Sequence, residues 1–178
     1  LCVPSANRWS SKNEELYDAI HKIIISLLNE DGIPAALYRD TPEKPKIEDK
    51  SSGLNSNENS PWPVDPKSFL CFLRRSPGDV VIKGHKIAGS AQRRLKKSLL
   101  QHGSVLYGNS SFAPELNGIN NISGSKYTFD GLSSRLLSPI EDYLGARLDR
   151  QDLSKRENMA VKRVQNSHFK NPKWTSRN

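Results

Sequence analysis

Three runs rich in strand-forming residues, Val80-Val81-Ile82, Lys86 to Arg94 and Leu99 to Tyr107, follow one another across only Gly84-His85 and Lys96-Lys97. Connections this short join antiparallel neighbours, because a parallel crossover needs a dozen residues or more. The stretch therefore reads as an antiparallel meander. Ahead of it, Leu16, Ile20, Ile23, Ile24, Leu27 and Leu28 recur at three- and four-residue steps, which predicts a helix over 11–31. Ser11 and Glu14 have capping-box spacing, and Gly32 is a natural stop. Ile33 to Tyr38 reads as a short strand, and Leu1 to Pro4 as the end of a strand already under way. Downstream, 112–118, with Pro114 and Gly118, reads as a turn or one helical turn. Asp130 is expected to cap a helix through Leu132, Leu136, Leu137, Ile140 and Leu144, which Pro139 must kink or divide. A last helix is expected from Ser154 to about Gln165, with a capping box from Ser154 and Glu157, and Phe169 and Trp174 are expected to pin the tail to the core. Helix, meander, helices is the order of an α+β (mixed α/β) fold, an antiparallel sheet with packed helices.

The 178 residues suit one domain, 1–178. Residues 39–68 hold five prolines, many polar residues and no periodicity, and read as a flexible insertion. Twenty-seven Lys and Arg against 19 Asp and Glu give a net charge of +8, which favours an acidic partner. No apolar run approaches the ~20 residues of a membrane span, and no secretory leader is visible. Cys2 and Cys71 are far apart with no metal-ligand spacing, so a reducing, cytoplasmic setting is expected and no metal site. No phosphate-binding loop or dinucleotide fingerprint occurs. Since the chain begins with Leu1-Cys2-Val3-Pro4, it is expected to start within a fold.

Chemistry concentrates between Cys71 and Gly103. As an unbroken strand, 86–92 would put Lys86, Ala88, Ser90 and Gln92 on one face and Ile87, Gly89 and Ala91 on the other. The first face offers an ammonium, a hydroxyl and an amide. The second is apolar, and Gly89 lets something approach the backbone. From pattern alone a solvated lysine is the commoner outcome. Cys71, between Leu70 and Phe72, reads first as a small core residue, although Arg74 and Arg75 nearby would favour its thiolate. His102 is a candidate base for Cys71 but reads first as structural. His21, His85 and His168 form no cluster. The run Arg93-Arg94-Leu95-Lys96-Lys97 lacks the interleaved aromatics of a nucleic-acid surface and reads as a solvated hairpin tip or a patch for an acidic protein.

Three strings stand together: Cys71-Phe72; Gly84-His85-Lys86-Ile87-Ala88-Gly89-Ser90-Ala91-Gln92-Arg93, preceded by Gly78-Asp79-Val80-Val81; and Leu100-Gln101-His102-Gly103-Ser104-Val105-Leu106. Together they resemble the central motif of the biotin/lipoate A/B protein ligase family. The Ala91-Gln92 ending and the upstream Cys-Phe pair are closer to its octanoyltransferase branch than to the ATP-using ligases. The resemblance implies a catalytic fold like that of class II aminoacyl-tRNA synthetases and biotin–lipoate ligases. It implies transfer of an octanoyl or lipoyl group to a lysine of a lipoyl-carrier domain by way of a cysteine thioester. It assigns Cys71 as nucleophile, Lys86 as the residue at the acyl carbonyl, and Gly84, Gly89, Ser90, Ala91, Gln92, His102 and Gly103 as substrate-binding. Implied partners are acyl carrier protein and the lipoyl domain or glycine cleavage H protein, all acidic. No covalently bound cofactor is implied. ATP and magnesium belong only to the alternative, a lipoate–protein ligase, and a third possibility is an inactive fragment that binds acidic carriers. The family's Arg-rich, Gly-Gly-Gly and His segment before the first helix has no match here, so an N-terminally incomplete catalytic domain is expected. His85 stands where relatives often have Lys or Arg.

Overall fold

A computed structural model of the chain describes residues 2–4, 13–41, 70–96, 98–149 and 151–176. Two compact units emerge, Leu1–Ala146 and Arg147–Asn178. In the first, the strands are β1 (Cys2–Pro4), β2 (Ala35–Leu37), β3 (Val80–Ile82), β4 (His85–Leu95) and β5 (Ser98–Val105), with helices α1 (Asn13–Glu30), α2 (Ile119–Ser123) and α3 (Phe129–Leu144). The expected meander is β3-β4-β5. It sits in a five-stranded sheet of order β1-β5-β4-β3-β2 in which every neighbouring pair is antiparallel.

α1 ends as its sequence dictates. Gly32 adopts φ 72°, its N–H donates to Asn29 O (3.0 Å), and Ile33 N–H donates to Leu28 O (2.9 Å). A left-handed glycine thereby satisfies carbonyls the helix leaves free, and Leu28 and Ile33 both enter the core. Asn29 then stands in for a strand partner, accepting from Ala35 N–H at 2.9 Å. The α1 capping box falls on Ser11, outside the described residues.

One face of the sheet packs on α1, α2 and α3 through Ile24, Leu27, Leu28, Val80, Ile82, Ile87, Ala88, Ile119 and Leu132. A second cluster joins Val3, Leu16 and Leu99. α3 is capped by Thr128, whose hydroxyl accepts from Gly131 N–H (3.1 Å), rather than by Asp130. Pro139 does not divide it. Pro139 and Arg135 are both exposed, so the carbonyl that loses its donor lies where solvent can satisfy it. α2 follows the expected turn and was not foreseen.

Of the insertion expected at 39–68, only residues 39–41 are described. Tyr38–Asp40 form a 3-10 turn, Arg39 N–H donates to Pro77 O (2.9 Å), and the Arg39 guanidinium pairs with Asp18 on α1. Residues 42–69 lie outside the described set. Among the described residues no helix is long and apolar enough to cross a membrane.

The second unit contains α4 (Lys155–Val164), a π-helical turn (Gln165–Phe169) and α5 (Pro172–Thr175). The capping box is present: the Ser154 hydroxyl accepts from Glu157 N–H, and the Glu157 carboxylate accepts from Ser154 N–H at 2.8 Å. Phe169 and Trp174 belong to this unit. They are 64% and 40% exposed and meet each other edge to face at 5.2 Å.

Candidate active site

The turn between β3 and β4 sets the geometry. Its two left-handed residues are Lys83 (φ 47°) and Gly84 (φ 75°), the signature of a tight hairpin, and His85 already belongs to β4. Just beyond it the ladder slips. Val81 pairs with Lys86, but Val80 pairs with Ala88, leaving Ile87 as the extra residue of a β-bulge. Directly opposed residues share a face. Lys86 therefore lies on the face of Val81, and Ala88 on the face of Val80. The expected single face of Lys86, Ala88, Ser90 and Gln92 is broken at its first member. Ser90 and Gln92 lie on the α1 side, where the Ser90 hydroxyl meets His21 at 2.7 Å. Lys86 lies on the opposite side with Gly89 and Ala91. Re-aiming one side chain is what a bulge does.

Lys86 folds back over Gly89. A Cβ there would fall 2.6 Å from Lys86 Cε and 2.9 Å from Nζ, so the space left by the glycine is filled by the chain's own lysine. The ammonium ends 2.8 Å from Asp79 Oδ2, in a pair whose side chains are 11% and 2% exposed. Asp79 Oδ2 also accepts from Ser76 N–H at 2.6 Å. Lys86 Nζ further donates to the carbonyls of Cys71 and Arg74, both at 3.4 Å, and lies 5.4 Å from the Phe72 ring centroid. Asp79 is thus the central residue that pattern reading passed over. Its signal was its place before an apolar strand and its near-total burial, and the second is invisible in a sequence.

The structure brings Cys71 and Lys86 together. Cys71 is exposed and free, as is Cys2. Arg75, expected to favour a Cys71 thiolate, instead donates from Nε and Nη2 to Gly84 O (3.0 and 2.6 Å) and braces the hairpin turn. Burial lowers the pKa of Arg75. Burial, and then the charge of Arg75, lowers that of His85. His102 pairs with Ala91 on the Lys86 face and is exposed, and no hydrogen bond joins it to Cys71 among the described residues. Gly103 pairs with Ser90 on the α1 side, where a Cβ would strike Gly89 O at 2.5 Å and Ser90 Oγ at 2.6 Å. The Gln92 amide, on the α1 side with Ser90, donates to Gln101 across the ladder at 2.8 Å. Gly89, Ala91 and His102 thus lie on the Lys86 side of the sheet, Ser90, Gln92 and Gly103 on the α1 side, and Gly84 in the β3–β4 turn. Arg93, Arg94 and Lys96 stand exposed at the β4–β5 hairpin tip, and Lys97 is outside the described residues.

This constellation coincides with a sequence match. The profile of the biotin/lipoate A/B protein ligase family matches residues 60–110, the segment that carries Cys71, Asp79, Lys86 and Gly103. Over that segment the chain resembles the biotin/lipoate A/B protein ligase family. Octanoyltransferase LipM of Anoxybacillus flavithermus is 26% identical over 151 residues, which are 73% of this chain and 51% of that protein. Octanoyltransferase LipM of Macrococcus caseolyticus is 55% identical over 42 residues, 24% of this chain and 15% of that protein. The chain spans about half the length of the first of these relatives. Among solved structures, a T. acidophilum protein described as a lipoate protein ligase, with bound lipoic acid, aligns with TM-score 0.63 at 11% identity, over 97% of this chain and 61% of that one. Lipoate-protein ligase A bound with ATP aligns at TM-score 0.60 and 11% identity, over 97% and 62%. The shared fold is the one that the sequence resemblance implies.

Proposed function

We propose that this chain carries the site of an acyltransferase that moves an octanoyl or lipoyl group onto a lysine of a lipoyl-carrier domain through a thioester on Cys71. The observation that carries the reading is the bulge-aimed Lys86 ammonium, clamped by Asp79 at 2.8 Å and within 3.4 Å of the Cys71 carbonyl. In the first step the Cys71 thiolate attacks the carbonyl carbon of an acyl thioester, forming a C–S bond. The Lys86 ammonium faces the oxygen on which negative charge grows. Collapse breaks the bond to the donor thiol, which leaves and takes a proton. In the second step the acceptor's lysine amine attacks the Cys71 thioester, the amide forms, and Cys71 leaves as thiolate. Gly89 lets the Lys86 side chain lie close over the β4 backbone, which keeps its ammonium on the face of Ala91 and His102. Acyl carrier protein and the lipoyl domain or H protein are acidic, so a chain of net charge +8 would meet them with electrostatic steering.

The experiment supplies octanoyl-loaded acyl carrier protein and an apo lipoyl domain, with and without ATP, to the full-length protein and to Cys71→Ala. Transfer that needs Cys71 and ignores ATP supports the reading. Transfer that requires ATP and survives Cys71→Ala selects a lipoate–protein ligase instead, and binding of the lipoyl domain without turnover selects an inactive carrier-binding protein.

A further inference from the structure

His21 sits on α1 with 1% of its surface exposed and both ring nitrogens engaged. Nδ1 lies 2.6 Å from Gly78 O and Nε2 lies 2.7 Å from Ser90 Oγ. A carbonyl only accepts, so Nδ1 carries the proton. The neutral ring then accepts the Ser90 hydroxyl proton at Nε2. Burial lowers the imidazole's pKa and keeps it neutral. The Gly78 carbonyl and the charges of Asp79 and Asp18 pull the other way, and the Lys86 ammonium acts with burial. The Tyr17 ring packs against it at 4.4 Å.

Each arm of the ring reaches a different part of the site. Gly78 lies in the turn that carries Asp79, and that turn is closed by Asp79 N–H donating to Ser76 O (2.9 Å) and Ser76 N–H donating to Asp79 Oδ2 (2.6 Å). The turn is seated hard on α1, since a Cβ on Gly78 would fall 2.5 Å from Tyr17 Cε1. The other arm holds Ser90 on β4, the strand of Lys86. His21 therefore joins the two pieces of chain whose separation sets the Asp79–Lys86 contact.

We infer that His21 is a positioning residue: by tying the Ser76–Asp79 turn to β4 it holds the Asp79 carboxylate under Lys86. Its effect on rate rests on the acyl-transfer reading, whereas the mechanical link does not. Two conservative variants separate the arms. The amide nitrogen of His21→Asn falls near Nδ1 and keeps Gly78, while that of His21→Gln falls near Nε2 and keeps only Ser90. His21→Leu removes both.

Two readouts are taken on the full chain: hydrogen exchange at the Ser76 amide, and the rate and KM of octanoyl-thioester formation on Cys71. Exchange at Ser76 should quicken by about tenfold or more in His21→Leu and His21→Gln, with strand β5 amides unchanged. Thioester formation should slow by up to about a hundredfold, with KM for the acyl carrier unchanged. His21→Asn should restore both toward wild type. Equal Ser76 exchange in all four proteins, or His21→Asn behaving no better than His21→Gln, overturns the inference. If His21→Leu fails to fold, the Asn–Gln comparison decides. If wild type forms no thioester, the acyl-transfer reading falls, and the Ser76 pattern alone still decides whether His21 holds the turn.

Discussion

Gly89→Ala isolates the placement of Lys86 from the stability of the sheet. The new methyl would sit 2.6 Å from Lys86 Cε, 2.9 Å from Nζ and 3.0 Å from Asp79 Oδ1, whereas ordinary contact begins near 3.4 Å. The lysine end must therefore move by about 0.8 Å. It is flexible, so the backbone has no need to follow. Misplacing a reacting group by ~1 Å costs up to about a hundredfold in rate, or about 2.7 kcal/mol of barrier. Against this, alanine in a strand gains roughly 0.5–1 kcal/mol over glycine through lower unfolded-state entropy, which offsets part of a weakened ion pair. The expected signature is a rate of Cys71 acylation lowered tenfold to about a hundredfold with folding stability within about 1 kcal/mol of wild type. Stopped-flow acylation with octanoyl-acyl carrier protein and a urea melt measure the two. An unchanged rate would refute the positioning of Lys86. A loss of more than about 3 kcal/mol would show that the backbone, not the lysine, takes the clash.

Asp79→Asn leaves a largely buried ammonium without its carboxylate and should destabilise the fold by about 2–4 kcal/mol in the same urea melt. His21 and His85 both have lowered pKa values, each first through burial. The unfolded chain therefore gains protons around pH ~6.5 that the folded chain refuses. Stability should be full above that pH and fall as pH drops through it, and His21→Asn with His85→Gln should flatten the slope of melts run from pH 8 to 5. At lower pH, Asp31, held to about 2 by Arg135 and then Tyr127, contributes above its ordinary 3.8 and loses that contribution as pH falls toward 2.

Much of the scaffold was legible because it is local. The spacing of Leu16 through Leu28, the left-handed stop at Gly32, the short turns of the meander and the Ser154–Glu157 box are decided by neighbours a few residues away. The string around Lys86 likewise drew attention to Cys71, whose carbonyl the Lys86 ammonium reaches. What escaped depends on contacts across the fold. Strand alternation assigned Lys86 to the face of Ser90, but the bulge at Ile87 comes from the register of β4 against β3, and no periodicity within β4 records it. Asp79 stood in the sequence only as part of the string Gly78-Asp79-Val80-Val81, whereas its carboxylate lies under Gly89 and beside Lys86. His21 read as a helical histidine without a partner in sequence, while its partners are 57 and 69 residues away. Phe169 and Trp174 had core-like composition, but they satisfy each other within a small unit.

The most direct test of the site is intact mass of the full-length protein after mixing with octanoyl-loaded acyl carrier protein, beside Cys71→Ser. One octanoyl group that hydroxylamine removes from wild type, with no such thioester on the variant, is the predicted result. A thioester that forms equally well on Cys71→Ser, or none on the folded full-length protein, would contradict Cys71 as the acyl-accepting nucleophile beside Lys86.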